Sequence, residues 1–292
     1  MSNDPIEDLF LQKAYREIAI EVAAVINQQT KTATLSLAMI VTMGTVCSIG
    51  QCHAATVSVI NAGFEDISGE SPVNEFTFGP LNGWDLYDPG LVTNGGAGGS
   101  YYIGTLRPDA PTNFTAGASE GLRVGIAFNF SGSGGQGEYG LQQTLTETLQ
   151  PNTSYALQVD IGNIASGQAQ SGTFFNLDGL PGYRVDLLAG GEILAQDDNS
   201  LFGTIDEGLF GTSQINFTTG TAHAQLGENL QIRLVNLNEV DPAFPDAHLE
   251  VDFDNVRLSA SAVPEPSCII AFGCVAGGWT LCRKRRFKGK PQ

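Results

Sequence analysis

The sequence predicts an all-β fold, an antiparallel β-sandwich of the jelly-roll kind, and three observations carry that prediction. Short segments alternate with a period of two, as in Leu122, Val124, Ile126, Phe128 and Phe130 against Arg123, Gly125, Ala127 and Asn129. Tyr155, Leu157, Val159 and Ile161 do the same against Ala156, Gln158 and Asp160, and such alternation gives a strand one buried face. Clusters of Gly, Asn, Asp and Pro, the residues that turn a chain, separate the segments. No convincing helical period interrupts them between residues 56 and 262, and many short strands at this spacing build a sandwich rather than a parallel sheet.

In chain order, strands are predicted at 56–60, 101–103, 122–130, 141–145, 155–161, 183–188, 214–218, 230–237 and 249–258. The Gly-rich pieces 94–100 and 131–137 are loops. Neither leads from a strand into a helix, so neither reads as a phosphate cradle. In the last strand Leu249, Val251 and Phe253 share a face, whereas Val256 and Leu258 continue out of phase, which requires a bulge or bend at Asp254-Asn255. Glu250, Asp252 and Asp254 occupy the opposite face. Neighbouring carboxylates repel, and they are tolerated by full solvation or by a bound cation. Hard oxygen ligands beside a bulge suit Ca²⁺.

The chain has 292 residues and divides into 1–55, 56–262 and 263–292. Residues 1–55 read as an N-terminal extension plus signal peptide. Lys31 precedes an apolar run over 35–49, and Cys52-His53-Ala54-Ala55 offers a cleavage site. The acidic, helix-patterned preface 4–26 is either a cytoplasmic extension or a stretch upstream of the true start. At the other end Pro264-Glu265-Pro266 precedes an apolar run over 268–282 and the basic cluster Arg283, Lys284, Arg285 and Arg286. At about 1.5 Å per residue that run spans roughly 22 Å as a helix, short of the ~30 Å hydrocarbon core. The basic end stays cytoplasmic, which leaves residues 56–262 across the membrane.

Composition narrows the partners. The chain carries 14 Lys plus Arg against 31 Asp plus Glu, a net charge of −17. Between residues 56 and 262 the only basic residues are Arg107, Arg123, Arg184, Arg233 and Arg257. Such a field excludes nucleic acid and is compatible with divalent cations and neutral glycans. The cysteines, Cys47, Cys52, Cys268, Cys274 and Cys282, all lie outside this region, so it needs no disulfide framework. After the signal only His223 and His248 remain. With no His-Glu-x-x-His helix and no cysteine nucleophile, the expectation is a domain that is not an enzyme.

Two resemblances extend this reading. The Pro264-Glu265-Pro266 box, the apolar run and the basic end resemble the PEP-CTERM signal of Gram-negative bacteria, which implies processing by an exosortase, a membrane helix before processing, and a final place in the cell envelope, outer surface or extracellular matrix. The order Asn61-Ala62-Gly63-Phe64-Glu65, Gly83-Trp84, Gln150-Pro151-Asn152-Thr153 and Asp252-Phe253-Asp254-Asn255-Val256 resembles galactose-binding-like jelly rolls, especially carbohydrate-binding modules of the family 4/9/22 type. That resemblance implies a structural Ca²⁺ where first and last strands meet. Glu65 and Asp254 are its matching side chains, and Asp252 is the third candidate ligand. It also implies sugar stacking on exposed rings, for which Tyr87, Tyr101, Tyr102 and Tyr139 are the candidates, Trp84 being expected in the core. The function expected is a non-catalytic, exported sandwich contacting polysaccharide. The alternatives are a purely structural surface or matrix protein and a secreted glycoside hydrolase.

Overall fold

Alternating segments become strands in the computed structural model, which describes residues 54–109, 112–130 and 137–263. In order these are β1 (Ala55–Val57), β2 (Phe76–Phe78), β3 (Asp85–Tyr87), β4 (Tyr101–Leu106), β5 (Val124–Asn129), β6 (Tyr139–Thr148) and β7 (Thr153–Asn163). There follow β8 (Gly167–Gln168), β9 (Phe174–Phe175), β10 (Tyr183–Ala189), β11 (Glu192–Asp198), β12 (Leu209–Thr218), β13 (Asn229–Asn236) and β14 (Leu249–Ala262). Every pairing is antiparallel. The fold is an all-β antiparallel sandwich.

One sheet of seven strands runs β12-β7-β14-β5-β4-β2, with β1 paired to β14, and a five-stranded sheet runs β11-β10-β13-β6-β3. The long β14 serves two neighbours along one edge, β5 through Leu249 to Phe253 and β1 through Leu258 to Ala260, while its other edge pairs with β7. Its register to β7 shifts between Asp254 and Arg257, and Asn255 there takes a φ of 51°. This bulge reverses the phase of the strand, so that Val256 and Leu258 join Val251 and Phe253 in the core.

Between the sheets Leu157, Val159, Ile161, Val251 and Phe253 meet Val185, Leu187, Ile232 and Leu234. Phe64 stacks on Trp84 at 5.2 Å, and both are buried. The Trp84 indole N–H donates to the Asn61 carbonyl at 3.1 Å, which ties the opening loop to the core. The hairpin of β10 and β11 turns on Gly190 and Gly191, both at positive φ, the conformation that a tight two-residue turn requires.

A second apolar layer distinguishes this sandwich from one with a solvated exterior. Tyr102, Leu106, Val124, Ile126 and Phe128 form an apolar cluster separate from the core between the sheets, together with Phe114, Ile164 and Leu177 from the connecting segments. Consequently β4 and β5 are buried at every position, where the alternation alone predicts a single buried face.

Among the described residues no helix forms, and none is long and apolar enough to cross a membrane. The expected signal segment before residue 54, and the tail with Pro264, Glu265, Pro266, Arg283, Lys284, Arg285 and Arg286, lie outside the described residues.

Candidate active site

Strand periodicity places the acids. With Val251 and Phe253 committed to the core, Glu250, Asp252 and Asp254 must point to the outer face of the seven-stranded sheet. There they are buried, at 4%, 0% and 0% exposure, so full solvation, one of the two alternatives for this face, is not met. Glu250 stands opposite Phe128, Asp252 stands between Ile126 and Gly162, and Asp254 stands opposite Asp160.

Gly162 explains how aromatic rings reach the acids. A Cβ at this position would lie 2.7 Å from a Phe210 ring carbon, 2.8 Å from a Phe114 ring carbon and 2.9 Å from the Asp252 Cβ. Phe114 and Phe210 stack at 4.2 Å, and their ring edges converge on Asp252 because the glycine leaves room. Among the described residues neither oxygen of Asp252 has a hydrogen-bond partner, and nor does Glu250 Oε1. Burial pushes the Glu250 carboxyl up to about 8. It holds Asp252 well above the usual carboxylate range, with Glu250 and Asp254 adding to the effect. Asp254 is pushed up to about 7, by burial first and then by Glu120 and Asp160. Burial of this kind favours the protonated carboxyl, which can donate its proton.

Beside them lies a small, partly open pocket, lined among others by Glu75, Phe76, Leu106, Phe128, Phe175 and Glu250. Its walls belong to an aromatic array: Phe128 meets Tyr102 at 5.2 Å and Phe175 at 5.6 Å, both edge to face, and Phe130 stacks on His248 at 4.7 Å. This is a mostly apolar pocket with two acids, Glu75 and Glu250, in its wall. It suits a flat apolar substrate and a proton-initiated step.

Glu65 and Asp254, two of the residues expected to hold calcium, meet at the 120–123 turn. Glu65 Oε1 accepts from the backbone N–H groups of Leu122 and Arg123 at 2.6 and 2.7 Å. Asp254 accepts from Glu120 and Asn255, both at 2.7 Å. Together they clamp the 120–123 turn between the opening loop and the bulge. Asp252 lies instead opposite Gly162, beside the Phe114–Phe210 pair. Among the described residues no group of three His, Cys, Asp or Glu is arranged to hold a metal ion.

The stacking tyrosines are placed differently from the expectation too. Tyr101 and Tyr139 are buried between the sheets, edge to face at 5.9 Å. Tyr102 is buried in the second layer against Phe78 and Phe128. None of these three offers an exposed platform, because β4 is covered on both faces and Tyr139 is fully enclosed. Tyr87 is half-buried on the five-stranded sheet. Its hydroxyl donates to Glu138 at 2.7 Å and its ring lies under the Arg233 guanidinium at 4.6 Å. Gly117-Ala118-Ser119-Glu120-Gly121 has the spacing of a hydrolase nucleophile elbow, but the Ser119 hydroxyl donates to Asp160 at 2.6 Å, which makes it a structural donor. The cleft residues that the sequence left unmarked are Glu75, Phe76, Phe128 and Phe175. The doublet Phe174-Phe175 and the Phe76-x-Phe78 pattern were their visible signals.

Comparison with known proteins bears on what this cleft does. The family model described as HpiC1-like, HpiC1 cyclase, matches residues 55–259. A Stig cyclase, Fisc from Fischerella sp. TAU, solved with (3Z)-3-(1-methyl-2-pyrrolidinylidene)-3H-indole, is 35% identical with a TM-score of 0.62 over 73% of this chain and 100% of that one. A cyclase from Fischerella sp. TAU solved with 4-(1H-indol-3-yl)butan-2-one is 36% identical, again with a TM-score of 0.62 over 73% and 100% of the two chains. Among curated protein sequences none matches the chain.

These matches overturn several expectations together. The recognition of the chain as an exosortase-sorted protein built on a carbohydrate-binding module gives way to a cyclase family, and a non-catalytic role gives way to an enzyme family. The polysaccharide, exosortase and membrane partners fall with it, as do the matrix and hydrolase alternatives. The physical reason is that the Asn61-to-Glu65 opening and the Asp254-to-Val256 closure secure the sandwich, as the Trp84–Asn61 bond and the Glu65 and Asp254 clamps show, and a shared scaffold does not identify a ligand. With a family model matched over most of its length and cyclase structures more than a third identical to it, the chain belongs to the HpiC1-like cyclase family.

Proposed function

We propose that the protein catalyses an acid-initiated intramolecular cyclisation of an indole-bearing substrate in the cleft on the outer face of the seven-stranded sheet. The observation that carries this reading is the pair Glu250 and Asp252, buried beside an aromatic pocket, with Glu250 Oε1 and both Asp252 oxygens without hydrogen-bond partners among the described residues. The related cyclases solved with indole compounds support the substrate class.

The chemistry follows from the environment. A protonated carboxyl of the pair transfers its proton to the substrate and becomes a carboxylate, while the substrate becomes a cation. The cation is captured by a carbon nucleophile of the same molecule, which closes a ring. Loss of a proton to the carboxylate then restores the acid, so the sequence is an isomerisation that consumes nothing. Phe76, Phe128 and Phe175 offer ring faces to the cation. The enclosed apolar walls limit capture by water, the competing reaction. Glu250 and Asp252 share the role as a coupled pair, with Glu250 at the cavity wall.

The test is to incubate the purified protein with indoles carrying unsaturated side chains and to look by mass spectrometry and NMR for products of unchanged mass with one more ring. Conversion that disappears in both Glu250→Gln and Asp252→Asn is the expected result. Conversion that persists undiminished in both variants would sink the acid assignment.

A further inference from the structure

The two sheets meet through apolar side chains, whose attraction has no direction. Asn236, the last residue of β13 in the five-stranded sheet, supplies one. Its side chain is buried and reaches across to the seven-stranded sheet, where Nδ2 donates to the Ala127 carbonyl at 2.8 Å and to the Leu249 carbonyl at 3.2 Å. These carbonyls belong to the peptide groups that lead into Phe128 and Glu250. Phe128 and Glu250 stand opposite each other on β5 and β14, and both line the pocket. One amide therefore grips, from the inner side, the two strands whose outer side carries the acid and an aromatic wall.

The amide has a single orientation that satisfies its partners. Oδ1 accepts from the Asn238 N–H at 2.7 Å, so exchanging oxygen and nitrogen would set donor against donor there and oxygen against two carbonyls. Asn238 makes this bond from a φ of 57°, and its own Oδ1 accepts from Asn129 Nδ2 at 2.6 Å. Asn129 follows Phe128 and stands opposite Leu249. Three buried asparagines thus fasten the end of β13 to both sides of Phe128. A core position that only has to be filled takes an apolar residue, because a buried amide is costly unless its bonds are made. Asn236 does not line the pocket, so it acts on the chemistry through the residues it holds.

We propose that Asn236 is a positioning residue for proton transfer: by holding the peptide groups ahead of Phe128 and Glu250, it fixes where the acid stands relative to a substrate resting on the aromatic wall. This assignment rests on the pocket being the cyclisation site. Proton transfer and ring closure are steep in geometry, and a misplacement of about 1 Å costs about 10²-fold in rate. An apolar wall accommodates the same shift with little loss of binding.

Asn236→Leu keeps the size of the side chain and removes both donated bonds. It is compared with the full-length parent in turnover of indoles carrying unsaturated side chains and in calorimetric binding of 4-(1H-indol-3-yl)butan-2-one. The expected result is a kcat at least about tenfold lower, with a dissociation constant within about threefold of the parent's. Ile232→Val, a core change on the same strand that also lowers stability, is expected to leave kcat within about twofold. An unchanged kcat in Asn236→Leu overturns the assignment, as does an equal loss of kcat and affinity, or a matching fall in Ile232→Val. A parent chain that converts none of the indoles overturns the reading of the pocket itself, and the role of Asn236 falls with it. Should Asn236→Leu not fold, as judged by circular dichroism, Asn238→Gly takes its place. Glycine accepts the positive φ and keeps the N–H that orients Asn236, but it releases Asn129. A lower kcat with binding retained then supports the assignment, and an unchanged kcat overturns it.

Discussion

Asp252 and Gly162 stand directly opposite each other on β14 and β7, and the hydrogen that serves Gly162 as a side chain is what allows the Phe114–Phe210 stack to settle beside the acid. In Gly162→Ala the added methyl meets both rings and the Asp252 Cβ inside 3 Å. Overpacking of this kind costs about 1–3 kcal/mol. The expected outcome is a lower denaturation midpoint together with a loss of turnover larger than the stability change explains, read from urea melts and product formation on the same preparation. A variant as stable and as active as the parent would show that the close approach is dispensable.

The buried acids set a direction for stability against pH. Glu250, Asp252 and Asp254 all have folded-state values raised above those of an unfolded chain. The folded state therefore binds more protons, and its stability falls as pH rises. For Glu250 the contribution is whole below the ordinary glutamate value near 4.5 and is lost as pH rises through about 8. Melting temperature is expected to decline from about pH 5 to about pH 8, and to decline less in Glu250→Gln, where nothing titrates. A flat or rising profile over that window would mean that these groups are ionised in the fold.

How far the sequence revealed this molecule can be seen residue by residue. Alternation in Val124 to Asn129 and Tyr155 to Ile161 marked strands that exist, and the phase break after Phe253 marked a bulge that exists. Edge strands such as Asp85–Tyr87 and Glu192–Asp198 were illegible, the first being too short for a period and the second too acidic. The cleft was half legible: Glu250, Asp252 and Asp254 could be put on one face, but what covers that face is Phe114, Ile164 and Leu177 from segments with no periodicity. Periodicity assigns a side chain to a face. It does not say whether the face meets water, and that difference separates a solvated acidic patch from a set of neutral acids.

Replacing either acid by its amide tests catalysis apart from folding. Asp252→Asn and Glu250→Gln keep shape and remove the transferable proton. Turnover is expected to fall about 10²–10⁴-fold, the usual share of a general acid, while the denaturation midpoint at about pH 8 stays level or rises because no buried charge can form. A fall in turnover matched by unfolding would identify these groups as structural.

Two phenylalanines of the outer layer should separate packing from recognition. Phe114 is 1% exposed and stacked on Phe210, so Phe114→Ala leaves a cavity and is expected to cost about 3–5 kcal/mol, visible in a urea melt. Phe175 is only partly buried and contributes a ring edge to the cavity wall. Its removal exposes less new surface but takes away a contact to the bound ring. Phe175→Ala is therefore expected to lose under about half as much stability as Phe114→Ala, since a site that can relax into solvent leaves less void, and to raise KM for an indole substrate with a smaller effect on kcat. If the two variants shift KM alike, the wall that contacts substrate extends to the Phe114–Phe210 pair. If Phe175→Ala leaves KM untouched, the substrate does not pass along that side of the cleft.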